Sequence, residues 1–157
     1  MVIYKENKKE RSIVEELKNS PFVPNVSLGP FNFGLSVTQV LNRISPRIKY
    51  DYRKRNGEEC FNNYSFPEFG IVVWTKDDDT VDSIRCGKKC NWQGNNLVGM
   101  SYKSFLKIYN VLPDAENIYN TFDEKMKTQH EYDFYGLGLM LWTWHGIIRT
   151  VVVYAGE

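Results

Sequence analysis

The sequence predicts an α+β fold: a mainly antiparallel sheet packed against helices, built from two duplicated helix-plus-hairpin units. The first observation is a repeated helix entry, Gly34-Leu35-Ser36 and Gly99-Met100-Ser101, each followed by an apolar helical pattern that stops at Pro46 or Pro113. The second is a repeated strand, Gly70-Ile71-Val72-Val73-Trp74-Thr75 and Gly138-Leu139-Met140-Leu141-Trp142-Thr143. The third is a return strand after a turn, Val81 to Ile84 in one half and Ile147 to Val151 in the other. The serines lie 65 residues apart and the tryptophans 68, so the order recurs at a nearly constant offset, as in a chain with an internal repeat. The units span residues 34–86 and 99–153 within one domain of residues 1–157.

Taken in order, residues 4–19 read as a helix, with Ile13, Val14 and Leu17 as its apolar stripe and Ser20-Pro21 as its stop. A proline-punctuated connector, 21–30, leads to Phe31-Asn32-Phe33. Ser36 is placed to cap a helix whose Val37, Val40, Leu41 and Ile44 share a face, and Ser101 to cap one carrying Tyr102, Phe105, Leu106 and Tyr109. Strands are expected over 48–52 and 61–66. Hairpins are expected over 69–86, across Lys76-Asp77-Asp78-Asp79, and over 137–154, across His145-Gly146. In the last hairpin Leu137, Leu139 and Leu141 line one side and Met140, Trp142 and Trp144 the other, which predicts a strand covered on both faces. By the same logic Trp74 and Trp142 read as core.

The composition is globular, with 42% hydrophobic, 25% charged and 15% aromatic residues. No apolar run approaches the ~20 residues of a membrane helix. The opening segment is charged, which predicts no secretory leader and a cytoplasmic protein. Three cysteines, Cys60, Cys86 and Cys90, do not make a disulfide framework. The net charge of +1 conceals an asymmetry: residues 1–56 carry eleven Lys/Arg and five Asp/Glu, residues 57–157 nine and fourteen. The basic excess gathers at Arg43, Arg47, Lys49, Arg53, Lys54 and Arg55. The acidic excess includes Glu58, Glu59, Asp77, Asp78, Asp79 and Asp82.

Candidate chemistry is sparse. Cys86-Gly87-Lys88-Lys89-Cys90 lacks the two-residue gap of common zinc knuckles and has no second cysteine pair, so no metal is expected. His130 and His145 have no spacing that marks a catalytic pair, and no enzyme activity or cofactor is predicted. Gly136-Leu137-Gly138 lacks the third glycine and following helix of a phosphate loop. The basic run interleaved with Tyr50 and Tyr52 leaves a small nucleic-acid-binding or regulatory interaction module as the alternative reading. Trp92, in an Asn/Gly-rich loop, is either a lid over the core or an anchor for a partner.

The tandem units resemble small inhibitor modules such as the β-lactamase inhibitor protein type. That family is exported and this chain opens on a charged segment, so the family's function is not implied. The opening Tyr4-Lys5-Glu6-Asn7-Lys8-Lys9-Glu10, the Phe33-Gly34-Leu35-Ser36 entry and the closing Tyr135-Gly136-Leu137-Gly138 strand resemble cytosolic immunity proteins of bacterial contact-dependent growth inhibition and polymorphic toxin systems. That resemblance implies one-to-one binding of a cognate toxin domain, a nuclease such as an EndoU-like RNase, by occlusion. The partner-binding residues it suggests are Glu58, Glu59, Asp77, Asp78, Asp79 and Asp82, whose carboxylates could mimic phosphates, with Trp92 as anchor.

Overall fold

The computed structural model describes residues 12–57, 60–120 and 128–156. Residues 12–19 are helical (α1), with Ile13 and Leu17 fully buried, so the apolar stripe does face the core. The beginning of the expected 4–19 helix lies outside the described residues. The connector forms a small three-stranded sheet, β1 (Phe22–Val23), β2 (Ser27–Leu28) and β3 (Phe31–Asn32). It delivers Phe22, Leu28 and Phe31 to the core.

Helix α2 (Thr38–Leu41) is one turn long, shorter than its apolar pattern suggested; Ile44 falls in the turn that follows. The Ser36 hydroxyl accepts from Thr38 N–H at 3.3 Å, but Val37 holds the cap position without a side-chain bond, so Ser36 is not the helix cap its sequence position suggested. Next come β4 (Asp51–Arg53), β5 (Asn62–Phe66), β6 (Ile71–Thr75) and β7 (Val81–Cys86). A small hairpin, β8 (Asn91–Trp92) with β9 (Asn95–Asn96), precedes α3 (Tyr102–Tyr109). Here Ser101 is the cap, accepting from Ser104 N–H at 3.1 Å. The chain then forms β10 (Ala115–Asn120), β11 (Thr128–Phe134), β12 (Leu139–Trp144) and β13 (Ile147–Tyr154).

Eight of these strands make one antiparallel sheet in the order β10-β11-β12-β13-β7-β6-β5-β4. The fold is α+β with few helices. Each half supplies four strands: in the first half two strands and a hairpin, as expected, and in the second an outer pair beyond the expected hairpin. The polar stretch after α3 was not expected to be extended, but β10 and β11 occupy it. β11 alternates, with Glu131 and Asp133 on one side and Tyr132 and Phe134 on the other, so its period-two pattern was present in the sequence.

The same local geometry recurs in both halves. Gly34 N–H donates to Val81 O at 2.9 Å and Gly99 N–H to Ile148 O at 2.7 Å. Val81 N–H returns to Leu35 O at 2.9 Å and Ile148 N–H to Met100 O at 2.9 Å. Ser36 bridges Thr80, and Ser101 bridges Ile147. Short 3-10 turns, Pro67–Phe69 and Tyr135–Leu137, both end on a left-handed glycine, Gly70 or Gly138. The sheet register shifts at Trp74/Thr75 and again at Trp142/Thr143. At the centre β7 pairs with β13, Arg85 opposite Val152.

One face of the sheet carries the core. Phe66, Ile71, Val73, Ile84, Leu139, Leu141, Val151 and Val153 point to it and are at most 1% exposed. Phe105 of α3 meets Phe134 edge-on at 5.3 Å, and Tyr102 stacks on Tyr132 at 3.7 Å, fixing α3 over β11. Burying such aromatic surface at roughly 25 cal/mol per Å² is the main force holding the helices to the sheet. The alternate residues, among them Val72, Trp74, Met140, Trp142 and Val152, are only half-buried. The expectation of strands covered on both faces is therefore corrected for the described residues: the second side is largely uncovered and mixes aromatic, aliphatic and charged residues.

Candidate binding face

Period-two alternation puts Trp74 and Trp142 on this open side, because their strand neighbours Val73 and Leu141 face the core. A cleft of about 580 Å³ lies there, lined by Trp74, Trp142, Trp144, Arg85, Arg149, Gln129, Thr143, Thr150 and Val152. Trp74 and Trp142 are thus cleft walls rather than core, a correction to the sequence reading. The period-two pattern located both tryptophans on one side of their strands; it could not say that the side is uncovered. The Arg149 guanidinium lies 5.6 Å from the Trp144 ring centre. Among the described residues no carboxylate pairs with Arg85.

Register extends the face sideways. Asp133 lies opposite Met140, Met140 opposite Val152, Val152 opposite Arg85, and Arg85 opposite Val72, one continuous row. Beside it Glu131 lies opposite Trp142. Tyr119 of β10 stacks on Trp142 at 5.3 Å. Glu131 and Asp133 are each 6% exposed. Burial, and then the neighbouring charge of Glu131, push the Asp133 carboxyl up to about 6. The Tyr119 hydroxyl is also pushed up, chiefly by the charge of Glu131.

The acidic loop expected to meet a partner is largely engaged at home. Asp77 pairs with Arg55 at 3.1 Å, both exposed. Asp78 accepts from the Thr80 hydroxyl at 2.7 Å and from Thr80 N–H at 3.1 Å, which hold its carboxyl below the usual range. Asp79, at a left-handed φ of 61°, accepts from the Tyr64 hydroxyl at 2.9 Å. Burial and then that hydrogen bond raise the Tyr64 hydroxyl. Asp82 is half-buried beside Ser83, Met140, Val152 and Tyr154. Glu58 and Glu59 lie outside the described residues. Asp82 is therefore the acidic-loop residue that joins the open face.

Trp92 is not an exposed anchor. It is 8% exposed, stacked on Tyr109 at 4.0 Å and edge-on to Phe22 at 5.8 Å, and its carbonyl accepts from the Tyr109 hydroxyl at 2.8 Å. It is the lid that ties β8 to α3 and β1. Its loop signature of Asn and Gly reflects the tight β8–β9 turn, where Gln93 and Gly94 both have positive φ.

The remaining chemistry-bearing residues are scattered. Cys86 and Cys90 are buried thiols in contact, and their mutual hydrogen bond, then burial, raises the Cys90 thiol, disfavouring a thiolate. His130 pairs with Glu116 at 3.1 Å. His145, with φ 53° beside Gly146 at 72°, forms the β12–β13 turn, a left-handed pair suited to a two-residue hairpin. Among the described residues no group of His, Cys, Asp and Glu is arranged to hold a metal ion, and no helix is long and apolar enough to cross a membrane.

Fold and face define a class of molecule: an antiparallel sheet with its helices on one side and an aromatic, charged cleft on the other. No protein-family model matches the chain, and no curated protein sequence matches it. Among solved structures it is similar to a DUF4309 family protein (YjgB) from Bacillus subtilis subsp. subtilis str. 168, at 13% identity over 94% of this chain and 96% of that one, with a TM-score of 0.47.

Proposed function

We propose that this chain is an immunity protein: a single cytoplasmic domain of two duplicated units that binds a cognate toxin domain one-to-one, on the open sheet face, and blocks it without catalysis of its own. The recurring hydrogen bonds at Gly34 and Gly99, and the paired register shifts, support the duplication. The observation that carries the binding reading is the uncovered cleft walled by Trp74, Trp142 and Trp144 with arginines at its centre and rim. Tryptophan and arginine are the side chains that dominate protein–protein binding energy when water is excluded around them. The size also suits. Eight strands about 4.8 Å apart and some five to six residues long give a face of roughly 600 Å², close to the ~800 Å² that each partner buries in a standard interface.

This moves the contact surface away from the acidic loop. Phosphate mimicry by Asp77 to Asp79 is weakened by their internal hydrogen bonds, and the face offers both signs of charge. The toxin need not present a basic nuclease cleft to be captured.

The test is co-purification with the product of the neighbouring open reading frame, which this reading expects to carry the toxin domain. The complex should have one-to-one mass by light scattering, the toxin's activity should be lost, and Trp142→Ala should release it. Turnover of a substrate by the isolated protein, or full toxin activity inside a stable complex, would overturn the reading.

A specific observation favours a second reading. Tyr50 and Tyr52 are 40% and 48% exposed on the β4 edge, stacked toward Tyr64 and flanked by Arg47, Lys49, Arg53 and Lys54. A basic, aromatic edge of this kind suits a single-stranded nucleic acid. Salt-sensitive binding of an oligonucleotide, lost on Tyr52→Ala, would support it.

A further inference from the structure

The open face is electrically divided, and the division is independent of what the scaffold requires. At the β11 end sit Glu131 and Asp133, both more than nine-tenths buried yet turned to the open side. At the matching places of the first half, opposite Trp74 and Val72, stand Asn63 and Ser65. Neutral side chains therefore satisfy the same strand geometry, so the carboxylates are not needed to build the sheet. Their local chemistry is costly, since two adjacent carboxylates raise each other's free energy in the charged state. Tyr119 and Trp142 lie against them as an aromatic wall. Three strands across the row, past Met140 and Val152, stands exposed Arg85 with no described carboxylate paired to it.

We propose that the face recognises a toxin segment of opposite polarity: a lysine or arginine held at the Tyr119 and Trp142 rings, over the buried carboxylates of Glu131 and Asp133, and an aspartate or glutamate held by Arg85. Three inter-strand steps separate Asp133 from Arg85, so the two partner charges stand roughly 14 Å apart. The aromatic wall attracts the cation through its ring faces and keeps water from the ion pairs. The carboxylate pair, unfavourable in the free protein, becomes the better-matched end once a cation neutralises it. Arg85 supplies orientation, because a segment docked in reverse would set like charges together at both ends.

The groups facing Asp133 are Glu131 on its own strand, Tyr119 and Asp114 from the β10 side, and Met140 and Trp142 from β12. Capture of a cation requires Asp133 ionised, so affinity should increase as pH rises through about 6.

This inference rests on the inhibitor reading, and the experiment separates the two. The probe is the toxin domain identified by that co-purification, inactivated at its active site and titrated by calorimetry into this chain and its near-isosteric variants. Asp133→Asn and Arg85→Gln should each weaken binding at least tenfold at pH 7.5, while Lys103→Gln on α3 stays within twofold. Asp133→Asn should also flatten the rise in affinity between pH 5 and 7, which a merely structural loss does not do. Double-mutant cycles should couple Asp133 to a toxin lysine or arginine and Arg85 to a toxin carboxylate. Binding that Trp142→Ala abolishes but neither charge variant changes would keep the inhibitor and sink the polarity. Failure of the toxin to bind at all would sink both.

Discussion

Trp74 and Trp142 hold the same place in two hairpins: each sits on the open side of its strand, each immediately before a register shift, and both wall one cleft. Each shift inserts an extra residue in the return strand opposite, Asp82 in β7 and Arg149 in β13, and bends that strand beside the tryptophan. Thr75 and Thr143, the residues just after, turn inward and are 0% and 2% exposed.

Trp142→Ala should therefore be a binding variant rather than a folding variant. Its ring is half-buried, so stability should drop by about 1 kcal/mol, whereas loss of a tryptophan at a desolvated contact typically costs 2 kcal/mol or more of affinity, about a thirtyfold change in Kd. Urea melts and toxin titrations of the same preparation measure both.

Trp92→Ala should behave in the opposite way. Stacked on Tyr109 and under Phe22, it fills core volume. Its removal should cost about 3–5 kcal/mol and lower Tm by roughly 10 °C, with affinity for any partner unchanged in the fraction that remains folded.

Asp133→Asn should stabilise the free protein at neutral pH. The folded carboxyl titrates at about 6, above its unfolded value of 3.8, so the native state holds its proton more tightly. That contribution is favourable below pH 4, fades as pH rises to 6, and leaves a constant penalty on the order of 3 kcal/mol above it. Tm should rise in the variant at pH 7.5 and not at pH 4, by calorimetry. An equal shift at both pH values would assign the effect to packing.

The acidic loop should contribute to stability unevenly. Asp79→Asn weakens the bond from the buried Tyr64 hydroxyl and should cost about 1 kcal/mol; Asp77→Asn breaks only an exposed pair and should stay within about 0.5 kcal/mol. Neither should alter partner binding by more than about twofold.

Gly138→Ala should be worse than Gly70→Ala, although the two glycines share a left-handed backbone. A Cβ on Gly138 would run into the Tyr154 carbonyl, which is backbone of the central strand pair, whereas one on Gly70 meets Lys88 at Cγ, 2.7 Å, and at Cβ and the backbone nitrogen, 3.2 Å, a crowding less severe and mostly of side chain. Left-handed strain alone costs about 1–2 kcal/mol at both, and the surplus at Gly138 should appear as a lower midpoint in urea.

The helix entry at Ser101, the two hairpins that end in Cys86 and Tyr154, and the near-constant spacing of the two halves were legible in the sequence. These are local matters: a cap needs a hydroxyl before the helix, a tight turn needs residues that tolerate positive φ, and a strand needs alternation within itself. The sequence also marked the carboxylates of the Asp77–Asp82 loop as a group. What each group faces depends on how distant segments come together. The helices pack on one side of the sheet, so equally apolar strand faces acquire opposite fates: Leu141 becomes core and Trp142 becomes cleft. Strand register brings Asp133 of one half into a row with Arg85 of the other, 48 residues away in the chain. Trp92 sits beneath Phe22 and Tyr109 because β1 and α3 converge on its loop. Burial and cross-strand pairing are properties of distant segments meeting, and no local pattern carries them.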